Sequence, residues 1–181
     1  GERRSVLAQV SPGLYWLAVL FSALLAFNRA FAVESVDGNL DALRLTGLDP
    51  AGIFLGKAAA VTVELFVLEL VLGAGSLILY GPGLVEPLLL GVTVIATTLA
   101  LATAGTLYAA LASGLRVRDT LVPLLVLPAL SPVLLGASIA TEAALFGPGS
   151  DGWPWAGLIG AFALLYTGAG ILAFARVLEE A

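Results

Sequence analysis

The 181-residue chain contains no Cys, no His and no Met. Without Cys there is no disulfide, no thiol chemistry and no thiolate metal site. Without His and Met the usual axial ligands to haem iron are missing, as is the imidazole that holds most transition metals. A nucleophile–His pair cannot form, and the sequence carries no P-loop pattern, so neither catalysis nor ATP binding by that route is expected of this chain. Charge is scarce as well: Asp, Glu, Lys and Arg make up 12% of the residues, about half the ~25% usual in a soluble domain. The eight Lys and Arg are scattered, which leaves no basic stretch suited to nucleic acid.

What is present is apolar. Hydrophobic residues are 60% of the chain and fall in five long runs, each near or above the ~20 residues that a spanning helix needs. The runs cover about 14–27 plus the preceding turn, 58–80, 84–113, 121–140 and 154–175. They predict an all-α integral membrane protein: a polytopic helical bundle and a single transmembrane domain over 1–181. The 21 Gly suit close helix packing in lipid. Pro12 is read as lying near the start of the first span, where a missing N–H costs least. Lys57 is read at the entrance of the second, and Tyr80-Gly81-Pro82-Gly83 as a tight turn.

The basic residues give an orientation. Arg29, Arg44 and Lys57 fall in the first break, Arg116 and Arg118 in the third, and Arg176 at the C-terminal end; the other two breaks hold only Glu86, Glu142 and Asp151. By the positive-inside rule the first group of breaks and the C-terminus are cytoplasmic. Trp153 and Trp155, flanking Pro154, would then lie at the opposite interface. Arg3 and Arg4 break the pattern, and the chain does not begin with Met. A cleaved secretory signal would be another cause of the missing Met, but a span upstream would resolve both, so six spans with both ends inside are expected in the intact protein, five of them in this chain.

One break is densely charged. Between 28 and 50 lie Arg29, Glu34, Asp37, Asp41, Arg44 and Asp49, so this segment belongs in water as a cytoplasmic loop. Val36, Leu40, Leu43 and Gly47 recur at helical spacing, with Asp37, Asp41 and Arg44 on the opposite flank. Asp37 or Asn39 can cap the start, Gly47 the end, and Pro50 prevents continuation. A short amphipathic surface helix over about 36–47 follows. Helices that float on lipid favour basic polar faces; this one is mostly acidic, which points to a soluble protein partner.

The stretch Phe27-Asn28-Arg29-Ala30-Phe31, then Glu34, then Asp37-Gly38-Asn39-Leu40-Asp41-Ala42-Leu43, followed by 48–57, resembles the cytoplasmic loop of the CcmB family. Ser11-Pro12-Gly13-Leu14-Tyr15-Trp16 is similar to the opening of that family's second span, and Leu127-Pro128-Ala129-Leu130-Ser131-Pro132 to its proline-marked fifth. These stretches follow in the same order across nearly the whole chain. The acid-Gly-x-Leu-acid-x-Leu core is shared by many type-2 ABC exporter permeases; the combination is narrower. Two features depart from the family: its first span has no counterpart here, and Asn28 stands where an acid often precedes the Arg.

The resemblance implies the transmembrane domain of a type-2 ABC exporter, the permease-like subunit of the haem-exporter-type complex of cytochrome c maturation in the bacterial inner membrane. The 36–47 helix would be the coupling helix that docks on the ATPase subunit CcmA, with Arg29, Glu34, Asp37, Gly38, Leu40, Asp41, Leu43 and Arg44 forming or flanking the contact. CcmC and CcmD would be membrane partners, and the haem chaperone CcmE an indirect one. ATP would be bound by the partner ATPase and haem by a partner membrane subunit. A homodimer stays open, since type-2 folds need two permease copies or equivalents.

Three further sets are candidates on the residues alone. Glu64 and Glu69 lie inside the second span, somewhat more than about 100° of helical turn apart, and need not share a face; intramembrane acids either serve a substrate or proton, or pair across helices. Pro123, Pro128 and Pro132 each remove an internal hydrogen bond from the fourth span and predict kinks. Thr93, Thr97, Thr98, Thr103 and Thr106, with Gly91 and Gly105, read as an interhelical packing face on the third. Two other functions compete: a general exporter permease for lipid, polysaccharide or drug, and a non-transporting scaffold whose loop recruits a soluble protein.

Overall fold

The computed structural model describes residues 2–30, 47, 49–81, 83–112, 118–147 and 151–180. Five α-helices run in order through them: α1 Glu2–Ala30, α2 Pro50–Tyr80, α3 Pro87–Ala112, α4 Arg118–Phe146 and α5 Trp153–Glu180. All five are long and apolar enough to cross a membrane. The shortest, α3, has 26 residues, or about 39 Å at 1.5 Å per residue. That exceeds the ~30 Å hydrocarbon core, so the helices tilt or project.

Helix ends depart from the sequence reading where capping decides them. The second helix begins at Pro50, not near Ala58, because Asp49 is its N-cap: the carboxylate accepts from the Gly52 N–H at 3.0 Å, and Pro50 takes the first helical position. Lys57 therefore lies about two turns inside α2 and not at its entrance. Pro12 also lies inside a helix, since α1 starts at Glu2; the bond lost is the one to the carbonyl of Ala8. Helix α4 extends beyond the expected 121–140 at both ends and stays helical through Pro123, Pro128 and Pro132.

Helix α3 packs on all four others, and these contact one another in the ring α1–α2–α5–α4. Enclosure demands small side chains, and the second half of α3 supplies them: Ala100, Ala102, Ala104, Gly105, Ala109, Ala110 and Ala112 are all buried. The ring helices send in large side chains. Phe27 of α1 is fully buried, and its ring occupies the space that a Cβ on Gly105 would need. Phe54 of α2 does the same at Gly170 of α5 and packs on Phe174, ring centres 6.2 Å apart. The first half of α3 is different: Leu88, Val92, Ile95 and Leu99 are exposed along one side.

At that looser end the connections are short. Gly81, at φ 52°, ends α2 by donating to the Leu77 carbonyl at 3.0 Å, a left-handed conformation that glycine adopts without cost. The Val85 and Glu86 N–H groups both donate to the Ala144 carbonyl, at 3.0 and 2.9 Å, tying the α2–α3 turn to the last turn of α4. The exposed outer surface carries Phe21, Val67, Leu70, Leu135, Leu164 and Leu172, the side chains expected of a belt in lipid.

The Phe27–Gly105 contact yields a prediction. Gly105→Leu should lower the stability of the detergent-solubilised protein by about 1–3 kcal/mol, the usual cost of overpacking. Phe27→Ala in the same chain should recover part of that loss, read as the thermal midpoint of the double variant against each single one.

Candidate functional site

Two clusters of polar side chains lie at different levels of the bundle. The first is at the Arg29 end. Arg29, in the last turn of α1, approaches Glu64 of α2 at 3.8 Å, with side chains 77% and 52% exposed. Lys57, from the same face of α2, donates to the Ala30 carbonyl at 2.6 Å. The three charged side chains border a cleft of ≈ 240 Å³ floored by Ala26 and Val61. Glu64 is therefore an acid at the bundle surface paired across helices, one of the two arrangements its position allowed. A pair this exposed contributes little to stability in high dielectric.

Of the coupling residues expected from the loop, Arg29 alone is described. Glu34, Asp37, Gly38, Leu40, Asp41, Leu43 and Arg44 lie outside the described residues, as does the 36–47 helix apart from its last residue. That residue, Gly47, has φ 66°, the left-handed conformation of a helix C-cap.

The second cluster lies deeper and centres on Glu69. Five residues beyond Glu64, it turns to a different neighbour: it is 3% exposed, and its Oε2 is 2.7 Å from the Thr98 hydroxyl of α3. The same Thr98 oxygen is 2.7 Å from the Val94 carbonyl of its own helix. A threonine hydroxyl has one hydrogen, so it donates to one of the two at a time. The other carboxyl oxygen, Oε1, is buried with no hydrogen-bond partner among the described residues. Tyr15 of α1 donates to the Glu69 main-chain carbonyl at 3.2 Å, and the buried Trp16 beside it donates to the Thr141 hydroxyl of α4 at 2.9 Å. One polar layer thus ties α1, α2, α3 and α4 together.

Beside this layer is a cavity of ≈ 410 Å³ bordered by Tyr15, Glu69, Leu77, Leu90 and Thr141. Leu77, Thr141 and Leu90 come from the last turns of α2 and α4 and the first turn of α3, and Tyr15 from the first half of α1, so the cavity lies in the half of the bundle away from Arg29. The Thr positions of α3 are all buried, in keeping with a packing face. Thr98 reaches across to another helix, while Thr103 bonds the Leu99 carbonyl of its own at 2.8 Å. At the prolines of α4, Ser131 donates to the Leu127 carbonyl at 2.8 Å, and Tyr166 of α5 donates to the Ala129 carbonyl at 3.0 Å.

The sequence reading missed the Thr98 link, the Trp16–Thr141 bond and the cavity. Helical phase on α2 separates Glu64 from Glu69, but no spacing rule pairs Glu69 with a threonine 29 residues away.

Five membrane-crossing helices around a small-residue core, with a charged break between the first two, define a polytopic α-helical membrane protein. The model of the CcmB protein family matches residues 1–180, and the chain belongs to that family. It is similar to the Heme exporter protein B of Haemophilus influenzae, 34% identical over 154 residues, which are 80% of this chain and 65% of that protein. The Heme exporter protein B of Rhodobacter capsulatus is 36% identical over 148 residues, 80% of this chain and 66% of that protein. For the Pseudomonas aeruginosa protein of the same name the figures are 33% over 178 residues, 92% and 75%. The chain spans about two thirds of the length of the first two relatives.

The hydrogen bonds separate neighbouring threonines. Thr98→Val strips the buried Glu69 carboxyl of its partner and should destabilise the protein by about 1–3 kcal/mol. Thr97→Val, one residue away, removes a buried hydroxyl that has no partner among the described residues and should be neutral or stabilising. Thermal unfolding of the two variants in one detergent checks the contrast.

Proposed function

We propose that this chain is the membrane-embedded part of a haem-exporter-type ABC complex that serves cytochrome c biogenesis, and that its task is mechanical. The observation that carries this reading is the family match over residues 1–180, together with the exporter name shared by its relatives. The chain would be a permease subunit of type-2 ABC exporter form, without catalytic chemistry of its own. It would receive the ATPase stroke of CcmA through the helix at 36–47 and change its contacts with CcmC and CcmD, and through them act on the haem-loaded chaperone CcmE. Haem would be cargo of the complex: a chain without His, Met or Cys leaves axial ligation to another subunit.

Orientation follows from the distribution of Arg and Lys. The Arg29 end, with the charged loop and the C-terminus, would face the cytoplasm of a bacterial inner membrane, and the Trp153 end the opposite side. The ATPase would then meet the same end of the bundle as Arg29, Lys57 and Glu64. Helix α1 runs from the loop into the Phe27–Gly105 contact, so a push on the loop would arrive at the most closely packed layer.

A double charge reversal tests the docking role. Asp37→Lys with Asp41→Lys should leave the protein inserted at normal levels and uncouple the ATPase, so that hydrolysis by the assembled complex no longer responds to the membrane subunits. Unchanged coupling in that variant would contradict docking through this helix.

A further inference from the structure

The cavity beside Glu69 has the makings of a ligand site. Its ≈ 410 Å³ falls in the range of roughly 300–1,000 Å³ typical of small-molecule pockets. The walls are mostly apolar, with Phe66, Leu70, Leu77 and Leu145 among them, and such a surface suits an alkyl chain better than a cluster of water. Leu70 and Leu77 are also exposed on the outer face of α2, so the way in is sideways from lipid. Within this apolar enclosure stands one carboxyl group. Glu69 is 3% exposed, its Oε2 is engaged by Thr98, and its Oε1 is buried without a partner among the described residues. An acceptor held in that state is normally satisfied by a donor that belongs to the site.

The lining defines the donor. Among the described residues it contains no Lys or Arg, while the hydroxyls of Ser11 and Thr141 add acceptor oxygens to the lining. A primary ammonium offers three N–H donors and a positive charge to a wall that has acceptors and no cation. Haem is poorly matched, because its propionates would face a carboxyl with no basic side chain beside it. We propose that this cavity binds a membrane-borne amphiphile with an alkyl chain and a primary ammonium head, the head donating to the Glu69 carboxyl. A phosphatidylethanolamine headgroup and a free long-chain amine share that chemistry.

The test uses the complete protein isolated in its native assembly and placed in phosphatidylcholine nanodiscs, with retained ligand measured by native mass spectrometry. One arm adds phosphatidylethanolamine to the discs; a second adds dodecylammonium, and a third dodecyltrimethylammonium, which has no N–H. The wild-type protein should retain at least one of the two primary amines about tenfold better than the trimethyl analogue. Retention in the first arm assigns a lipid source, and in the second a free amphiphile. Glu69→Leu should abolish the preference. So should Ala74→Phe, which fills the cavity from an exposed position on α2, removes no hydrogen bond within the protein, and carries the test if Glu69→Leu does not fold. Glu142→Gln, an exposed acid on α4, should retain as much as the wild type. Equal retention of the trimethyl analogue, undiminished retention by Ala74→Phe, or no retention by the assembled wild type would overturn the proposal; the last outcome would assign the cavity to a partner's helix.

Discussion

Lipid tails are as apolar as leucine, so helices already inside a membrane gain nothing by hiding apolar side chains from it. Close approach and complementary shape must supply what the hydrophobic effect supplies in water, and the second half of α3 meets that requirement. Its run of Ala, Thr and Gly allows four other helices to reach one rod. Phe27 from α1 fills the space beside Gly105 of α3, and Phe54 of α2 fills that beside Gly170 of α5 and packs on Phe174. Gly105 and Gly170 are the points where a ring edge replaces a missing Cβ. From this layer the rest of the architecture follows. The layer around Gly105 and Gly170, toward the Arg29 end, is tightly packed, whereas the opposite half opens where α3 changes from Ala and Thr to Leu, Val and Ile.

The polar groups are distributed along the same gradient. At the tight end charges sit at the surface, where Arg29, Lys57 and Glu64 can reach water and headgroups. At the open end a single acid goes inward, and its hydrogen bond to Thr98 joins α2 to the central helix. An intramembrane acid requires such a partner, because lipid offers none. The Tyr15 and Trp16 bonds bring α1 and α4 into the same layer. A movement delivered to α1 at the loop would therefore meet a rigid layer first and a softer, polar-bonded layer with free volume second. That order suits a subunit that transmits a stroke.

The number and kind of the helices were legible because apolar runs near or above ~20 residues have few alternatives. Their ends were less so. The start of α2 depends on the Asp49 side chain turning back to Gly52, and the sequence reading, which placed Pro50 after the loop helix, did not show that it also opens the next. Pro12 misled in the same way: proline marks the first turn of many helices, yet neighbouring helices allow it inside a span. Among the candidate residues, the divergence of Glu64 and Glu69 was visible from helical phase alone. Their partners were not, since Arg29 and Thr98 come from other helices and depend on which faces meet. The acidic loop motif was legible through resemblance, not through periodicity alone.

In the proposed function, a chain without His, Met or Cys that belongs to the CcmB family would divide labour with others: it would supply shape and a loop, and the partners would supply ATP hydrolysis and iron ligation. The most direct measurement is a co-purification. The complete protein is expressed with the candidate ATPase and membrane partners and isolated in mild detergent, and the subunit ratio and bound haem are recorded together. Recovery of the ATPase, with haem present only when the His-bearing membrane partner is included, is the expected result. Haem bound by this protein in the absence of that partner, or failure to recover any ATPase, would contradict the division of labour.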